Sequence, residues 1–298
     1  MDTSTSSSRS VTPARSGAPD TAGADDGRVA WDAAAQAWLQ RSELIDARHE
    51  VASVALLDAI GLRAGERVLD LASGPGGLGL LAAARVGPTG AVVISDFAPE
   101  MVAGARTRVD ELGLANVTTA VIDLEHIDQP DAWFDVVLCR DGLQFARRPA
   151  LAIAEMRRVV RSRGRVALAV WAEQDRNPWL GVVLDAVSGV LGFEVPPPWV
   201  PGPFSLASAH GLGELLEEAG LVEVRVSEAA VPLRTPSVEA WWSTTTSLAG
   251  PLAGILSSLP AEVHDAIRDQ AQRAAELYRS DDALVFPGVA LLATAVAP

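Results

Sequence analysis

Three glycines stand at a spacing that is typical of nucleotide-binding loops. In Arg67–Leu80, RVLDLASGPGGLGL, Gly74, Gly76 and Gly79 match the pattern G-x-G-x-x-G. That pattern is a fingerprint of dinucleotide binding when it follows a strand and opens a helix. The spacing alone leaves open whether the loop holds a dinucleotide or another ligand.

The charges around this loop argue against a pyrophosphate. Asp70 lies directly before the loop, and no basic residue occurs between Arg67 and Arg85. A carboxylate so close to a pyrophosphate would be repelled by roughly a few kcal/mol at an effective dielectric constant near 20. Ala72 and Ser73 also make the turn longer than a tight dinucleotide-binding turn. A cofactor with a cationic end and no phosphate, such as S-adenosylmethionine, suits Asp70 better.

Two further carboxylates follow predicted strands. Asp96 ends the second strand, where it can accept both hydroxyls of a ribose, although an acidic residue there also serves NAD. Asp123 ends the third strand, where it can accept the exocyclic amine of adenine. Both are predicted at the edge of the sheet formed by the carboxyl ends of the strands, where open α/β sheets bind ligands.

The elements that must position these residues alternate along the chain. Short apolar runs separated by amphipathic helices indicate parallel strands covered on both faces. We predict an α/β fold with a doubly wound, mostly parallel seven-stranded sheet of the Rossmann-like kind. Its strands are predicted at 67–71, 91–96, 117–122, 134–139, 165–171, 221–231 and 288–296. Helical cap insertions are predicted at about 172–205 and 236–280.

Composition limits the class of protein. A net charge of −14, from 38 acidic and 24 basic residues, gives no electrostatic footprint for nucleic acid or an anionic membrane. One cysteine excludes an internal disulfide framework and a cysteine-based zinc cluster, and we predict no metal. Residues 1–28 are predicted to be a disordered tail and 29–298 the folded domain. We expect a cytoplasmic protein with a small-molecule substrate and no membrane span; a homodimer is left open.

Several ordered motifs resemble one family, the class I S-adenosylmethionine-dependent methyltransferases, in the branch similar to quinone-biosynthesis methyltransferases. The motifs are VLDLASGPGG, ISDFAPEMVAGAR, IDLEHI, FDVVLCRDGLQF, AEMRRVVRSRGRVALAVW and RNPW. The resemblance covers about residues 30–230 and the last strand. It implies that the glycine loop holds S-adenosylmethionine. The implied cofactor contacts are Ala72, Gly74, Gly76, Asp96, Phe97, Met101, Asp123, Leu124 and Arg140, beside Asp70.

Methyl transfer from a sulfonium is an in-line displacement, which needs a base only when the acceptor is a poor nucleophile. The candidate bases are His126, Asp141, His210, His264 and Tyr278. Relatives often carry a histidine after the fourth strand, where this chain has Gln144. We therefore prefer His126, just after the third strand.

The substrate pocket is predicted to include Gln144, Trp171 and Trp179. Five of the eight tryptophans lie at or within the two insertions. They either pack the cap onto the sheet or form a broad aromatic pocket for a bulky, weakly polar metabolite, as in secondary metabolism.

Four functions are compatible with these motifs, and they are given from the most to the least favoured. The first is a small-molecule methyltransferase. The second is a methyltransferase-like cyclase or pericyclase that keeps S-adenosylmethionine as a structural cofactor. The third is a cofactor-sensing binding protein without turnover, and the fourth is a dinucleotide oxidoreductase.

Overall fold

Two helices precede the sheet, α1 (Thr21–Gln40) and α2 (Ser42–Ala59). The computed structural model describes residues 21–298, with side chains from Gly27 onwards. Helix α1 begins at Thr21, so residues 21–28, predicted as part of the tail, are helical; residues 1–20 lie outside the described part. The tail was predicted from its lack of apolar side chains. Helix α1 is packed at the buried Ala34 and Ala35. A helix that is packed along one part can extend towards its N-terminus through backbone hydrogen bonds alone.

The strands form one large sheet and one small sheet. The large sheet has seven strands in the order β3-β2-β1-β4-β5-β10-β6, and β10 runs antiparallel to both of its neighbours. The predicted α/β fold with a mostly parallel, seven-stranded sheet is therefore confirmed. The strands are β1 (Arg67–Leu71), β2 (Ala91–Asp96), β3 (Val117–Val121), β4 (Phe134–Arg140), β5 (Val160–Trp171), β6 (Val222–Ala230), β7 (Leu233–Thr235), β8 (Arg279–Ser280), β9 (Ala283–Phe286) and β10 (Val289–Val296).

Helices cover both faces of the large sheet. The α-helices after α2 are α3 (Gly77–Val86), α4 (Pro99–Glu111), α5 (Pro149–Val159), α6 (Pro178–Leu191), α7 (Ala209–Glu218), α8 (Val238–Leu248), α9 (Pro251–Ser258) and α10 (Ala261–Ala275). On one face α5 and α7 pack on a cluster that includes Ile153, Met156 and Leu212. On the other face α2, α3 and α4 pack on a cluster that includes Leu57 and Leu78.

The segments 172–205 and 236–280 pack against each other. Helix α6 of the first segment contacts α10 of the second, and both bury side chains in one cluster with Val187, Trp241 and Ile267. A three-stranded sheet, β7-β9-β8, borders this cluster and contributes Phe286. That sheet was not predicted, because strands of two to four residues are too short to show a periodicity.

None of the helices within residues 21–298 combines the length and apolar character that crossing a membrane requires.

Candidate cofactor and substrate site

The strands β1, β2 and β4 end side by side at one edge of the large sheet. Asp70 of β1 is in register with Ile94 of β2 on one side and with Leu138 of β4 on the other. The strand order reverses direction between β1 and β4, so the crevice at their carboxyl ends is the switch point where open α/β sheets bind ligands.

Asp70 is buried at this edge without a hydrogen-bond partner. Its side chain is 1% exposed, and neither carboxylate oxygen has a partner among the described residues. Burial raises the pKa of Asp70 to about 7, and the positive charge of Arg140 and the nearby Gly79 amide partly oppose that rise. A buried carboxylate whose oxygens lack aligned donors is costly unless a cationic or hydrogen-bonding ligand reaches it.

The glycine loop turns sharply between β1 and α3. Ala72, Gly74 and Gly76 have positive φ angles of 48°, 55° and 91°. Gly76 lies directly before the first residue of α3, so the loop brings the positive end of that helix to the crevice. Gly79 has a packing role instead, because a Cβ there would lie 2.6 Å from Cγ1 of Ile94.

Asp96 ties this loop to β2. Its Oδ2 accepts a hydrogen bond from the Gly74 amide at 2.9 Å, and its Oδ1 accepts one from the Ala98 amide at 3.0 Å. Burial raises the pKa of Asp96 to about 6, and these amide donors limit the rise. Each carboxylate oxygen has a second lone pair, so both can still accept a ribose hydroxyl.

Helix α1 covers the glycine loop from outside. The Trp38 ring lies 3.6 Å from the point where a Cβ on Gly74 would be, and its Nε1 donates to Leu248 O at 3.1 Å in α8. Met101 is buried in the small cluster between α1 and α4, and the half-buried Phe97 packs against it. Both residues lie near the loop, and Met101 is placed as a core residue.

The third predicted carboxylate, Asp123, is exposed in a turn after β3. Its Oδ1 accepts the Glu125 amide at 2.8 Å, and its carbonyl accepts the His126 amide at 2.9 Å. Leu124 packs partly against the core. His126 is exposed in the same turn. The roles predicted for these residues stay predictions.

Arg140 connects the end of β4 to α2. Its Nη1 donates to Ser53 Oγ at 2.7 Å, and its Nε lies 4.0 Å from Asp141 Oδ2. Arg108 also reaches the loop, where its Nη1 donates to Pro75 O at 3.0 Å. Neither arginine lies between Arg67 and Arg85 in the chain. Arg140 was predicted as a cofactor contact from the family resemblance, whereas Arg108 was missed.

Gln144 is buried after β4 with an unsatisfied amide. Its side chain is 1% exposed, and neither Oε1 nor Nε2 has a hydrogen-bond partner among the described residues. A buried amide that lacks both partners is uncommon in native proteins and indicates a place where a polar ligand group can bind.

Trp171 and Trp179 lie next to each other, and an arginine of α2 lies over both rings. Their ring centroids are 5.1 Å apart, and the Arg48 guanidinium lies 4.0 Å from the Trp179 centroid and 5.2 Å from that of Trp171. Trp179 is half-buried between the sheet and the cap cluster, and its carbonyl accepts Trp241 Nε1 at 2.8 Å. Asn177 holds the start of the segment 172–205 in place, because its side-chain Nδ2 donates to Ala172 O at 3.1 Å.

One residue beside the site, His49, was missed from the sequence, whereas its neighbour Asp141 was among the candidate bases. His49 Nε2 in α2 lies 3.2 Å from Oδ2 of Asp141, directly after β4. His49 falls on the buried face of α2 with Ile45, Ala52 and Leu56. A histidine within an apolar helical stripe was the available signal, but only the third dimension brings it to Asp141.

Among the side chains that the structure describes, those of residues 27–298, there is no group of three His, Cys, Asp or Glu residues that could hold a metal ion.

Comparisons with known proteins agree with this geometry. Residues 62–181 match the protein family described as a methyltransferase domain. A ubiquinone/menaquinone biosynthesis C-methyltransferase of Ralstonia pickettii is 36% identical over 146 residues. The match covers 45% of this chain and 60% of that protein, so the chain spans less than two thirds of this curated relative.

Two solved structures share the fold. The YcgJ protein of Bacillus subtilis has a TM-score of 0.56 and 20% identity, covering 83% of this chain and 98% of that chain. The second is a phosphoethanolamine N-methyltransferase 2 of Haemonchus contortus, in complex with phosphomonomethylethanolamine and S-adenosylhomocysteine. It has a TM-score of 0.52 and 19% identity, covering 83% of this chain and 52% of that chain.

Residues 62–181 carry a methyltransferase domain, and its sheet and glycine loop are those of the class I S-adenosylmethionine-dependent methyltransferases. In this part the chain is similar to the C-methyltransferases of ubiquinone and menaquinone biosynthesis, as predicted from the motifs. The cofactor of the class is S-adenosylmethionine, and the residues present fit it. Asp70 offers a counter-charge to an ammonium group, and Asp96 offers free lone pairs to a ribose.

Proposed function

We propose that this chain transfers the methyl group of S-adenosylmethionine to a small, bulky and weakly polar acceptor. The observation that carries the proposal is the pair of buried carboxylates, Asp70 and Asp96, on either side of the glycine loop in a methyltransferase domain. The net charge of −14 supports a small-molecule acceptor rather than a nucleic acid, and a site of action in the cytoplasm fits the same composition.

The residues of the chain divide the work of holding the cofactor. Asp70 would hold the ammonium group, Asp96 the ribose hydroxyls, and Asp123 the adenine amine. Bound S-adenosylmethionine supplies an electrophilic methyl group with an excellent leaving group. The main tasks left to the protein are to align the acceptor with that methyl and to exclude water.

The acceptor is proposed to bind beside Gln144, under the cap. Support comes from its buried amide without partners and from the aromatic wall of Trp171 and Trp179. The segments 172–205 and 236–280 would then form the roof that excludes water. The name of the Ralstonia pickettii relative supports an acceptor of the quinone kind, which is bulky and weakly polar.

The proposal can be tested by calorimetry and by product analysis. We expect S-adenosylmethionine and S-adenosylhomocysteine to bind, and NAD and NADP not to bind, because Asp70 repels a pyrophosphate. Tighter binding of NAD than of either would refute the assignment of the cofactor. A reduced naphthoquinone (1,4-naphthohydroquinone) serves as the first acceptor, and formation of S-adenosylhomocysteine is measured.

Conversion of a substrate without S-adenosylhomocysteine would instead support the cyclase-like alternative. Binding of the cofactor without any conversion of a broad acceptor panel would support a cofactor-sensing protein. Neither outcome would change the fold or the cofactor.

A further inference from the structure

The residue after β4 lies against the cofactor loop. The Asp141 amide donates to Ala169 O at 2.8 Å, and Asp141 has a left-handed backbone with φ 58°. A Cβ on the next residue, Gly142, would lie 2.3 Å from the Cβ of Ala72 in the glycine loop. A non-glycine residue persists in this conformation only when its surroundings hold it, and such strain clusters at functional sites.

The two oxygens of the Asp141 carboxylate have different surroundings. Oδ2 lies 3.2 Å from His49 Nε2 and 4.0 Å from Arg140 Nε. Oδ1 is buried and has no hydrogen-bond partner among the described residues. One oxygen therefore faces protein charges, while the other is left for a ligand.

The hydrogen bonding of His49 determines which nitrogen carries its proton. His49 Nδ1 lies 2.8 Å from the carbonyl oxygen of Ile45, and a carbonyl oxygen can only accept, so the proton is assigned to Nδ1. The lone pair of the neutral ring is then on Nε2, which is buried and makes no aligned hydrogen bond. That lone pair faces Asp141 Oδ2, and one proton fits between them.

The charges around the ring keep it ready to accept that proton. Burial lowers the pKa of His49. The positive charges of Arg140 and Arg48 lower it further, and Asp141 opposes the lowering. The ring is therefore neutral near pH 7, and the imidazolium that forms on proton uptake has a carboxylate beside it. Trp171 packs against the ring, with centroids 5.5 Å apart, and closes the other side.

We infer that Asp141 and His49 form the proton-accepting pair of the proposed methyl transfer, and that the acceptor atom is a hydroxyl oxygen or an acidic carbon. This inference rests on the proposed function and deepens it. Asp141 Oδ1 takes the proton as the acceptor's O–H or C–H bond breaks, so the carboxylate becomes a carboxylic acid. When that carboxyl group turns, its O–H faces His49 Nε2, and the proton moves there as the O–H bond breaks and an N–H bond forms.

The electrons of the step balance within the named groups. The acceptor's electron pair forms the new bond to the methyl carbon, and the pair of the broken sulfur–carbon bond stays on sulfur as a thioether. Asp141 touches the acceptor, and His49 acts through Asp141 as a positioning residue. An amine acceptor would attack with its own lone pair and would need no such pair before the attack.

The inference is tested in the full chain with the variants Asp141→Asn and His49→Gln. Asp282→Asn is the matched control, since its exposed side chain pairs with Arg234 beside the small sheet and, among the described residues, with no group of the site. With 1,4-naphthohydroquinone we expect the formation of S-adenosylhomocysteine to fall about 100-fold or more for Asp141→Asn, as for the loss of a general base. The affinity for S-adenosylhomocysteine should not change. The rate of Asp141→Asn should recover as pH rises, because the hydroquinone then ionises by itself.

Undiminished rates in both variants, or turnover by the wild type with 1-naphthylmethylamine alone, would overturn the inference while leaving methyl transfer intact. Absence of S-adenosylhomocysteine with every probe would count against the proposed function instead.

A second measurement does not depend on turnover. Nitrogen-15 NMR of the histidine rings, with S-adenosylhomocysteine bound, should show the Nδ1-protonated tautomer for His49. Asp141→Asn should lower the pKa of His49 by about one unit or more, as for the loss of a nearby opposite charge. An Nε2-protonated neutral ring, or a His49 titration that is the same in Asp141→Asn, would overturn the inference.

Discussion

The site has two sides that were assembled in different ways. On the cofactor side, Asp70 and Asp96 end neighbouring strands and lie within 26 residues of each other along the chain, around one glycine loop. On the proposed acceptor side, His49, Asp141 and Trp179 come from α2, the end of β4 and the cap. The first side follows from local sequence order, while the second exists only because distant segments fold together.

The two sides also treat buried charge differently. Asp70 is left without a partner and Asp96 is held by backbone amides, and burial raises the pKa of both. Asp141 has one oxygen beside an imidazole and an arginine, and the Arg48 guanidinium lies over the rings of Trp171 and Trp179. The two carboxylates of the cofactor side are therefore suited to a cationic ligand, whereas Arg48 and Arg140 place positive charge beside Asp141.

The largest expected effect concerns the acceptor side. Trp179→Ala should lower the free energy of unfolding by about 3–5 kcal/mol, because the ring packs on both the sheet and cap clusters and supports Arg48. Urea unfolding followed by circular dichroism measures it. Exposed Trp199, which is 83% accessible, gives the matched control Trp199→Ala.

If Trp179 instead lines the pocket alone, the variant would keep its stability and cofactor affinity while turnover falls. Unchanged stability with full turnover would contradict both roles.

The next effect concerns the cofactor side. Asp96→Ala should weaken the binding of S-adenosylhomocysteine by about 2–4 kcal/mol, since two charge-assisted hydrogen bonds to the ribose would be lost. Calorimetry measures the affinity, and an unchanged circular dichroism spectrum serves as the control for folding. Full affinity in a folded variant would mean that the cofactor lies elsewhere.

A smaller effect on stability is expected at Gly79 of α3, which packs against β2 just after the cofactor loop. Gly79→Ala should lower the free energy of unfolding by about 1–3 kcal/mol, because its Cβ would meet Ile94 at 2.6 Å and Asp70 Oδ2 at 2.8 Å. Gly254→Ala in α9 is the matched control, since nothing lies within 4 Å of its Cβ position. That control should gain about 0.4–1 kcal/mol. Equal effects in the two variants would show that the contact at Gly79 is not tight.

The smallest effect is a pH dependence that comes from Asp70. Its folded pKa of about 7 means that it is mostly protonated below that pH. The affinity for S-adenosylmethionine should rise roughly tenfold between about pH 5.5 and 7.5, because the carboxylate is the form that attracts a cation. Calorimetry across this range tests it, and Asp70→Asn should remove the dependence.

The same groups affect the stability of the unliganded protein in the opposite direction. The folded pKa values of Asp70 and Asp96 lie above their unfolded values, so the folded state binds more protons. Their contribution to stability is full below about pH 4 and is lost as pH rises through about 6 to 7. Thermal melting temperatures that rise over this range in wild type, relative to a variant with both residues changed to Asn, would contradict the raised pKa values.

The fold was largely predictable from the sequence. Strands such as β1 and β2 were placed at their observed bounds, because a buried parallel strand reads as a short apolar run between turn residues. The start of α1 and the small sheet β7-β9-β8 were not predicted. The small sheet joins segments that are distant in the chain, and the start of α1 continues a helix whose packed residues lie further along.

The sequence by itself determined the order of the strands along the chain, the carboxylates at their ends and the class of domain. These depend on periodicity and on residues that are close in the chain. Only the tertiary structure decided which charged and polar side chains contact each other. Arg140 reaches Ser53, 87 residues away, and Arg108 reaches Asp46, 62 residues away. His49 meets Asp141 in the same way, because burial and pairing of charge arise from segments that are adjacent in space and distant in sequence.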